Sequence, residues 1–260
     1  MDVFARVIVG VDGTEWGFEA LRQALLLAPP ADDSTMRAVT ALDTTAAIHA
    51  GVQAAHFTKL LQQQAADARS SAESIIDGRP GAVAKVVRGK PTDVLRRERD
   101  EVDATLLAIG GRRSSRFLGI MLGDTGTELL HDAACSVLLA YPALEGAWQP
   151  RTIVVGLDSS SYADAALRVA EELARGVDAS LEVVSATGGK PIERHGAWAD
   201  RVDSWDAAEP VRALVERSRD VDLVVVGSRG VHGLRAIGSV SERVAHRAHC
   251  TTLVVHEPKP

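Results

Sequence analysis

The 260-residue chain holds two cysteines, Cys135 and Cys250, too few for a disulfide framework. It has no positive excess. Its 29 Lys and Arg against 35 Asp and Glu leave a formal charge of −6, so no global basic field attracts nucleic acid or anionic lipid. No uninterrupted apolar stretch approaches the roughly 20 residues of a membrane span. The opening MDVFARVIVGVDG reads as a strand and lacks the segments of a signal peptide. Together these absences predict a reduced, cytoplasmic protein with no membrane and no nucleic-acid partner. Missing too are a CxxC or HExxH pattern, a nucleophile elbow and a Walker lysine after a glycine loop. No metal site and no catalytic set is therefore expected. What the chain does have is 46% hydrophobic and 25% charged residues, the balance of a folded protein whose halves can each bury a core.

The chain is written twice. RVIVGVDGTEWGFEALRQALLLA at 6–28 matches TIVVGLDSSSYADAALRVAEELA at 152–174. VDATLLAIGG at 102–111 matches VDLVVVGSRG at 221–230, and HDAACSVLLAY at 131–141 matches HRAHCTTLVVH at 246–256. A fixed-order repeat is the first thing that decides a fold. The break falls near YPALEGAWQPR at 141–151, giving domains 1–148 and 149–260. Asp158 lies 146 residues after Asp12, Gly227 lies 117 after Gly110, and Cys250 lies 115 after Cys135. The second copy is thus 29 residues shorter before its glycine loop and two shorter within the loop-and-helix passage. That deletion amounts to one helix and its connection, and we place it at the second helix.

Strands are predicted at 6–11, 36–42, 82–88, 104–109 and 136–141 in the first half. Helices are predicted at 15–28, within 50–77, from Pro91 and at 124–133. The second half reads as strands at 152–157, 180–185, 222–227 and 251–256 with helices near 161–174, 208–218 and 239–248. Whether its third strand survives, near 197–203, is left open by the pattern. Alternation of strand and helix indicates a parallel sheet covered on both faces, an α/β fold.

In such a sheet ligands bind beyond the carboxyl ends of the strands. Asp12 and Asp158 stand there, just after the first strand of each copy. A carboxylate in that place can accept from an adenine amine or a ribose hydroxyl, or simply shape a turn and cap a helix. GSRG at 227–230 follows a strand and GSVS at 238–241 opens a helix. Gly227, Gly230 and Gly238 would let backbone N–H groups approach an anion, with Ser239 and Ser241 adding hydroxyl donors. The first copy offers Gly110 and Gly123, with Arg112, Arg113 and Arg116 between them. His246, His249 and Cys250, echoed by His131 and Cys135, read more simply as helix-end imidazoles and buried thiols than as zinc ligands. Trp16, Trp148, Trp198 and Trp205 show no spacing of a binding platform.

These residues give the chain a resemblance to tandem universal stress proteins, over nearly its whole length. The resemblance implies two open five-stranded sheets of order 3-2-1-4-5, the second domain truncated. It also implies that the domains pair through their last strands as an intramolecular pseudo-dimer, with a homodimer as a further form. In nucleotide-binding members the early Asp contacts adenosine, and G-x2-G-x9-G-[ST] contacts the phosphates. The first copy keeps the spacing but has Arg113 for the second Gly and Asp124 for the hydroxyl residue. The second keeps Gly227, Gly230, Gly238 and Ser239 but has seven residues between Gly230 and Gly238. Weak ATP binding, with the second half the better site, is the expectation. The alternatives are a stress protein acting through an unknown protein partner without nucleotide, and an ATP-hydrolysing enzyme, for which the catalytic parts are missing.

Overall fold

The computed structural model describes residues 3–31, 33–48, 53–113, 120–121, 123–143, 146–158, 160–185, 202–206, 209–228 and 239–256. It divides into two compact units, Met1–Gly110 and Gly111–Pro260.

The first unit runs β1 (Arg6–Gly10), α1 (Glu15–Leu27), β2 (Thr35–Leu42), α2 (Thr45–Ile48), α3 (Ala54–Ile75), β3 (Ala82–Arg88), α4 (Pro91–Glu101) and β4 (Leu106–Gly110). Its strands are parallel in the order β3-β2-β1-β4. Val7, Ile8 and Val9 are all buried, as are Leu106, Leu107 and Ala108. Consecutive buried residues need cover on both sheet faces, and flanking helices supply it. α1 lays down Ala20, Leu21, Ala24 and Leu27, and α3 buries Ala65, Ala68 and Ala72 at helical spacing.

The second unit holds β5 (Arg112–Arg113) paired antiparallel with β6 (Ile120–Met121), then α5 (Asp124–His131), β7 (Ser136–Ala140) and β8 (Thr152–Leu157). It continues with α6 (Ser161–Val177), β9 (Ser180–Ser185), β10 (Val202–Asp206), α7 (Pro210–Arg217), β11 (Leu223–Ser228), α8 (Val240–Arg247) and β12 (Thr251–His256). The strand order is β10-β9-β8-β11-β12-β7, with every pair parallel except the last. The third strand of this copy therefore exists, as β10. Sixteen residues, 186–201, join β9 to β10, against the 39 of 43–81 that join β2 to β3. The shortening falls where the first copy carries α2 and α3, as the repeat offsets predicted. A parallel crossover needs about a dozen residues, so the shorter link still reaches.

The expectation of two five-stranded sheets needs correction. Apart from the β5–β6 ribbon, four strands lie in the first unit and six, β7 to β12, in the second, where β7 pairs with β12. β7 and β12 are apolar strands, and their pairing covers an edge of each. Ser136 to Ala140 are all buried, and Thr252, Leu253 and Val254 pair antiparallel with Leu139, Leu138 and Val137. Leu138 and Leu253 are the same residue of the repeat, so the strand pair turns about a local twofold through them. The flanking hydrogen bonds obey the same symmetry. Tyr141 N–H donates to Thr251 Oγ1 at 3.0 Å, and His256 N–H donates to Ser136 Oγ at 3.2 Å.

Each copy also ties its second strand to a helix with an ion pair, and the signs are exchanged. Arg37 lies beside Ile8 and Glu182 beside Val154, so the two occupy equivalent places. Arg37 Nη1 meets Glu98 of α4 at 3.0 Å and Glu101 at 3.1 Å. Glu182 takes Arg217 of α7 with both oxygens, at 2.6 Å each, and Arg217 also reaches Asp220 at 3.6 Å. Lys85 on β3 adds a second cation 2.8 Å from Glu98. Burial alone would push the Glu98 carboxyl up, but hydrogen bonds and charge from Lys85 and Arg37 outweigh it and hold it below its ordinary value.

Candidate functional site

Asp12 follows β1 and makes the turn into α1. Its Oδ1 accepts from Thr14 N–H at 3.0 Å and Thr14 Oγ1 at 2.6 Å. Thr14 in turn caps α1 by accepting from Gly17 N–H at 3.4 Å. The second copy repeats the device. Asp158 Oδ1 accepts from Ser160 N–H at 3.1 Å and Ser160 Oγ at 2.6 Å, and Ser160 accepts from Ala163 N–H at 3.2 Å. Both carboxylates are thus turn-makers, and both are exposed with Oδ2 outside these bonds. An Asx turn of this kind satisfies helix N–H groups that would otherwise lack partners.

A third carboxylate stands at the same end of the first unit and was not singled out from the sequence. Asp43 follows β2, and its Oδ1 accepts from Thr45 N–H at 2.9 Å and Thr45 Oγ1 at 2.6 Å. Those two bonds, with a smaller contribution from the charge of Lys90, hold its carboxyl below the usual range. The signal was available as D-x-T directly after a strand, in DTT at 43–45 as in DGT at 12–14.

Gly110 and Gly227 end the fourth strand of each copy, and both have a packing reason. A Cβ at Gly110 would overlap the Trp16 carbonyl and come within 2.9 Å of Gly17 N. One at Gly227 would overlap the Tyr162 carbonyl and come within 3.0 Å of Ala163 N. The first turn of the helix lies directly on the strand end, which leaves no room for a side chain.

The helix N-termini differ between copies. Gly123 caps α5 with no side-chain bond, Asp124 opens the helix, and a Cβ at Gly123 would meet nothing within 4 Å. Ser239 caps α8: its Oγ accepts from Glu242 N–H at 3.2 Å and lies 3.2 Å from Ser241 Oγ. Ser239 is exposed, but Ser241 is buried, so Ser241 backs Ser239 and is not itself turned to solvent. Gly230, Gly238 and Arg116 lie outside the described residues. A depression of about 550 Å³ beside Glu73, Asp77 and Arg79 sits at the amino end of β3, the opposite end of the sheet from Asp12.

α8 also carries Glu242, whose Oε1 lies 2.8 Å from Nε2 of His131 at the end of α5. His246 is one turn further along α8. Burial pushes its imidazole down, Glu242 acts to raise it and His131 to lower it. Among the described residues no group of three His, Cys, Asp or Glu converges as a metal site would require. No described helix is long and apolar enough to cross a membrane.

A model of the universal stress protein family matches residues 4–140 and 201–256. The chain belongs to the universal stress protein family. Between the two matches, β8, α6 and β9 repeat β1, α1 and β2 strand for strand. A universal stress protein of Mycobacterium tuberculosis is 29% identical over 185 residues, covering 60% of this chain and 62% of that protein. One of Mycolicibacterium smegmatis is 30% identical over 181 residues, covering 58% and 62%. This chain therefore spans 62% of the length of the curated relatives it matches. The crystal structure of a universal stress protein from Archaeoglobus fulgidus superposes with a TM-score of 0.72, covering 96% of this chain and 98% of that one. At 18% identity the likeness is one of fold.

Proposed function

We propose that the chain is a tandem pair of universal stress domains acting in the stress response as an adenine-nucleotide-responsive binding module. Nucleotide, taken as ATP, is assigned to the second half. The observation that carries this is the helix N-terminus of α8. There Ser239 is exposed at the cap with Ser241 behind it, on the sheet end that also bears Asp158 and Gly227. A hydroxyl and free N–H groups at such a terminus suit phosphate. In the first half, Asp124 stands where the second has Ser239. Two unit charges 4 Å apart repel by ~1 kcal/mol in water and ~4 kcal/mol at an effective dielectric of 20. That penalty is worth about tenfold to several hundredfold in affinity, so the first half is assigned little or no nucleotide. The module is read as a binder and not as an enzyme, slow ATP hydrolysis aside, because no Walker lysine follows the glycines in the sequence.

One observation favours a second reading, a universal stress protein that works through protein contacts alone. Asp12, Asp158, Gly110 and Gly227 each have a structural task that explains the residue without a ligand. Nucleotide analysis of the purified, denatured protein separates the two. Calorimetric titration with ATP and magnesium on the full chain, Asp12→Ala and Ser239→Ala then locates the site. Binding abolished by Ser239→Ala is expected. Tight binding abolished by Asp12→Ala and indifferent to Ser239→Ala would move the site to the first half.

A further inference from the structure

β3 is an edge of the first unit's sheet, paired with β2 along its seven residues and with no other strand among those described. Its backbone phase is fixed at both ends. Met36 N–H donates to the Gly81 carbonyl at 3.0 Å and Gly89 N–H to the Leu42 carbonyl at 3.1 Å, so the odd-numbered residues turn their backbone groups to β2. Ala84, Val86 and Arg88 therefore turn N–H and C=O outward, whereas Ala82 N–H is already given to the Arg79 carbonyl at 3.3 Å. Among the described residues nothing guards this edge in the usual ways. The strand has no proline, pairs with β2 without a bulge and leaves Val83 51% exposed. Its lysine, Lys85, is drawn to Glu98 of α4 at 2.8 Å, so that charge is already answered.

Side chains alternate along the strand, so Ala82, Ala84, Val86 and Arg88 share the face away from Lys85. There the methyl groups of Ala82 and Ala84 border the depression of about 550 Å³, with Glu73, Ile76 and Asp77 on its other side. Glu73 is paired with Arg69 at 3.2 Å, and Arg79 donates to the carbonyls of Leu25 and Ala28 at the end of α1. Asp77 and Arg88 are both exposed, and neither meets an opposite charge among the described residues. One open edge thus carries an unanswered negative charge at its amino end and an unanswered positive charge at its carboxyl end.

We propose that β3 is a docking edge for a second copy of this chain, paired antiparallel with its own β3 about a twofold axis. Antiparallel pairing lays the carboxyl end of one strand along the amino end of the other, so Arg88 meets the partner's Asp77, and the axis makes the same contact a second time. The register follows from the charges and the donors. Centring on Lys85 would set like charges opposite each other. Centring on Val86 sets Ala84 opposite the partner's Arg88, and each such pair exchanges two N–H···O bonds through groups that already point outward. It also brings the partner's Arg88 to the face that holds the depression, since opposed residues lie on one side of a sheet. A single seven-residue edge is a small interface, so the dimer is of the weak, concentration-dependent kind. It stands apart from the nucleotide reading.

The test is sedimentation of the full chain from about 1 μM to about 1 mM, the span over which a weak interface titrates. Wild type should pass from monomer to dimer. Asp77→Arg and Arg88→Asp each turn two attractions into two repulsions and should weaken the dimer about tenfold. The double variant, with both charges exchanged, should return to within about threefold of wild type, a recovery that mere damage to the fold does not produce. Val86→Pro removes an outward N–H at the axis that β2 does not use, so it should keep the wild-type circular dichroism and stay monomeric throughout. Wild type that remains monomeric to the top of the range would overturn the proposal. So would a dimer equally tight in all the variants, which would place the contact elsewhere, or a double variant no tighter than the singles.

Discussion

The exchanged ion pairs allow a stability experiment whose control is built into the chain. In the second unit, Glu182 and Arg217 meet at 2.6 Å through two parallel hydrogen bonds, with side chains 13% and 27% exposed. Glu182→Arg places two guanidiniums in that space, and Arg217→Glu places two carboxylates there. Breaking a largely buried pair costs about 3–5 kcal/mol, and partial escape of the long side chains to solvent reduces this to roughly 2–4 kcal/mol. For a protein of this size each kcal/mol is worth about 2–4 °C, so melting should fall by about 4–16 °C. The double exchange reproduces the polarity already present as Arg37 and Glu98. Its new Arg at 182 also finds Asp220 where Arg37 finds Glu101 at 3.1 Å. It should recover to within about 1 kcal/mol of the parent, a coupling of roughly 3 kcal/mol or more in a double-mutant cycle. Circular dichroism during thermal and urea unfolding reads all four proteins. A double variant no more stable than the worse single one would refute the equivalence of the two pairs.

Three further outcomes are expected. Gly110→Ala and Gly227→Ala drive a Cβ into helix backbone and should each cost about 2 kcal/mol or more by urea unfolding, whereas Gly123→Ala, with open space around it, should stay within about 0.5 kcal/mol. Cys135 and Cys250 are buried free thiols, and burial, helped by Asp222, pushes the Cys250 thiol well up; native protein should react with a thiol reagent only on the timescale of unfolding, and rapid labelling would contradict this. Because the Glu98 carboxyl is depressed, its stabilisation is present above the ordinary carboxylate range and is lost as pH falls through the folded-state value; Glu98→Gln should therefore flatten the acid side of the stability profile, and an unchanged profile would count against the Lys85–Glu98–Arg37 cluster.

Much of the fold was legible because its signals are local. Buried parallel strands such as RVIVG and TIVVGL are continuous apolar runs, and α1 and α6 carry helical spacing with Thr14 and Ser160 at their caps. β10 was the hard case. VDSWD has little apolar content, and its pairing with β9 is set by register across a deletion that no local pattern encodes. The antiparallel pairing of β7 with β12 is likewise a long-range choice made between strands far apart in sequence. At the site, sequence placed Asp12 and Asp158 at the strand ends. It offered a turn-making role beside a ligand role for both, and the turns are what the backbone after each strand forms. Ser241 was chosen as a donor from its position beside Ser239, and helix phase turned it inward. The contact of Glu242 with His131 joins residues 111 apart in sequence and had no pattern to betray it.

The local twofold through Leu138 and Leu253 has a consequence for how the two copies can change. In an assembly of identical chains, every substitution at such a junction is made on both sides of the axis, and a change that suits one side must suit the other. Here the strands on either side belong to one polypeptide, and each position varies alone. Val137 faces Val254 while its counterpart Thr252 faces Leu139, so apolar and hydroxyl residues share equivalent seats. Thr127 and Glu242 are likewise counterparts, and only one of them reaches a histidine. Fusion has made every residue near the axis a separate decision, which is how one chain can carry two unequal copies of a single plan.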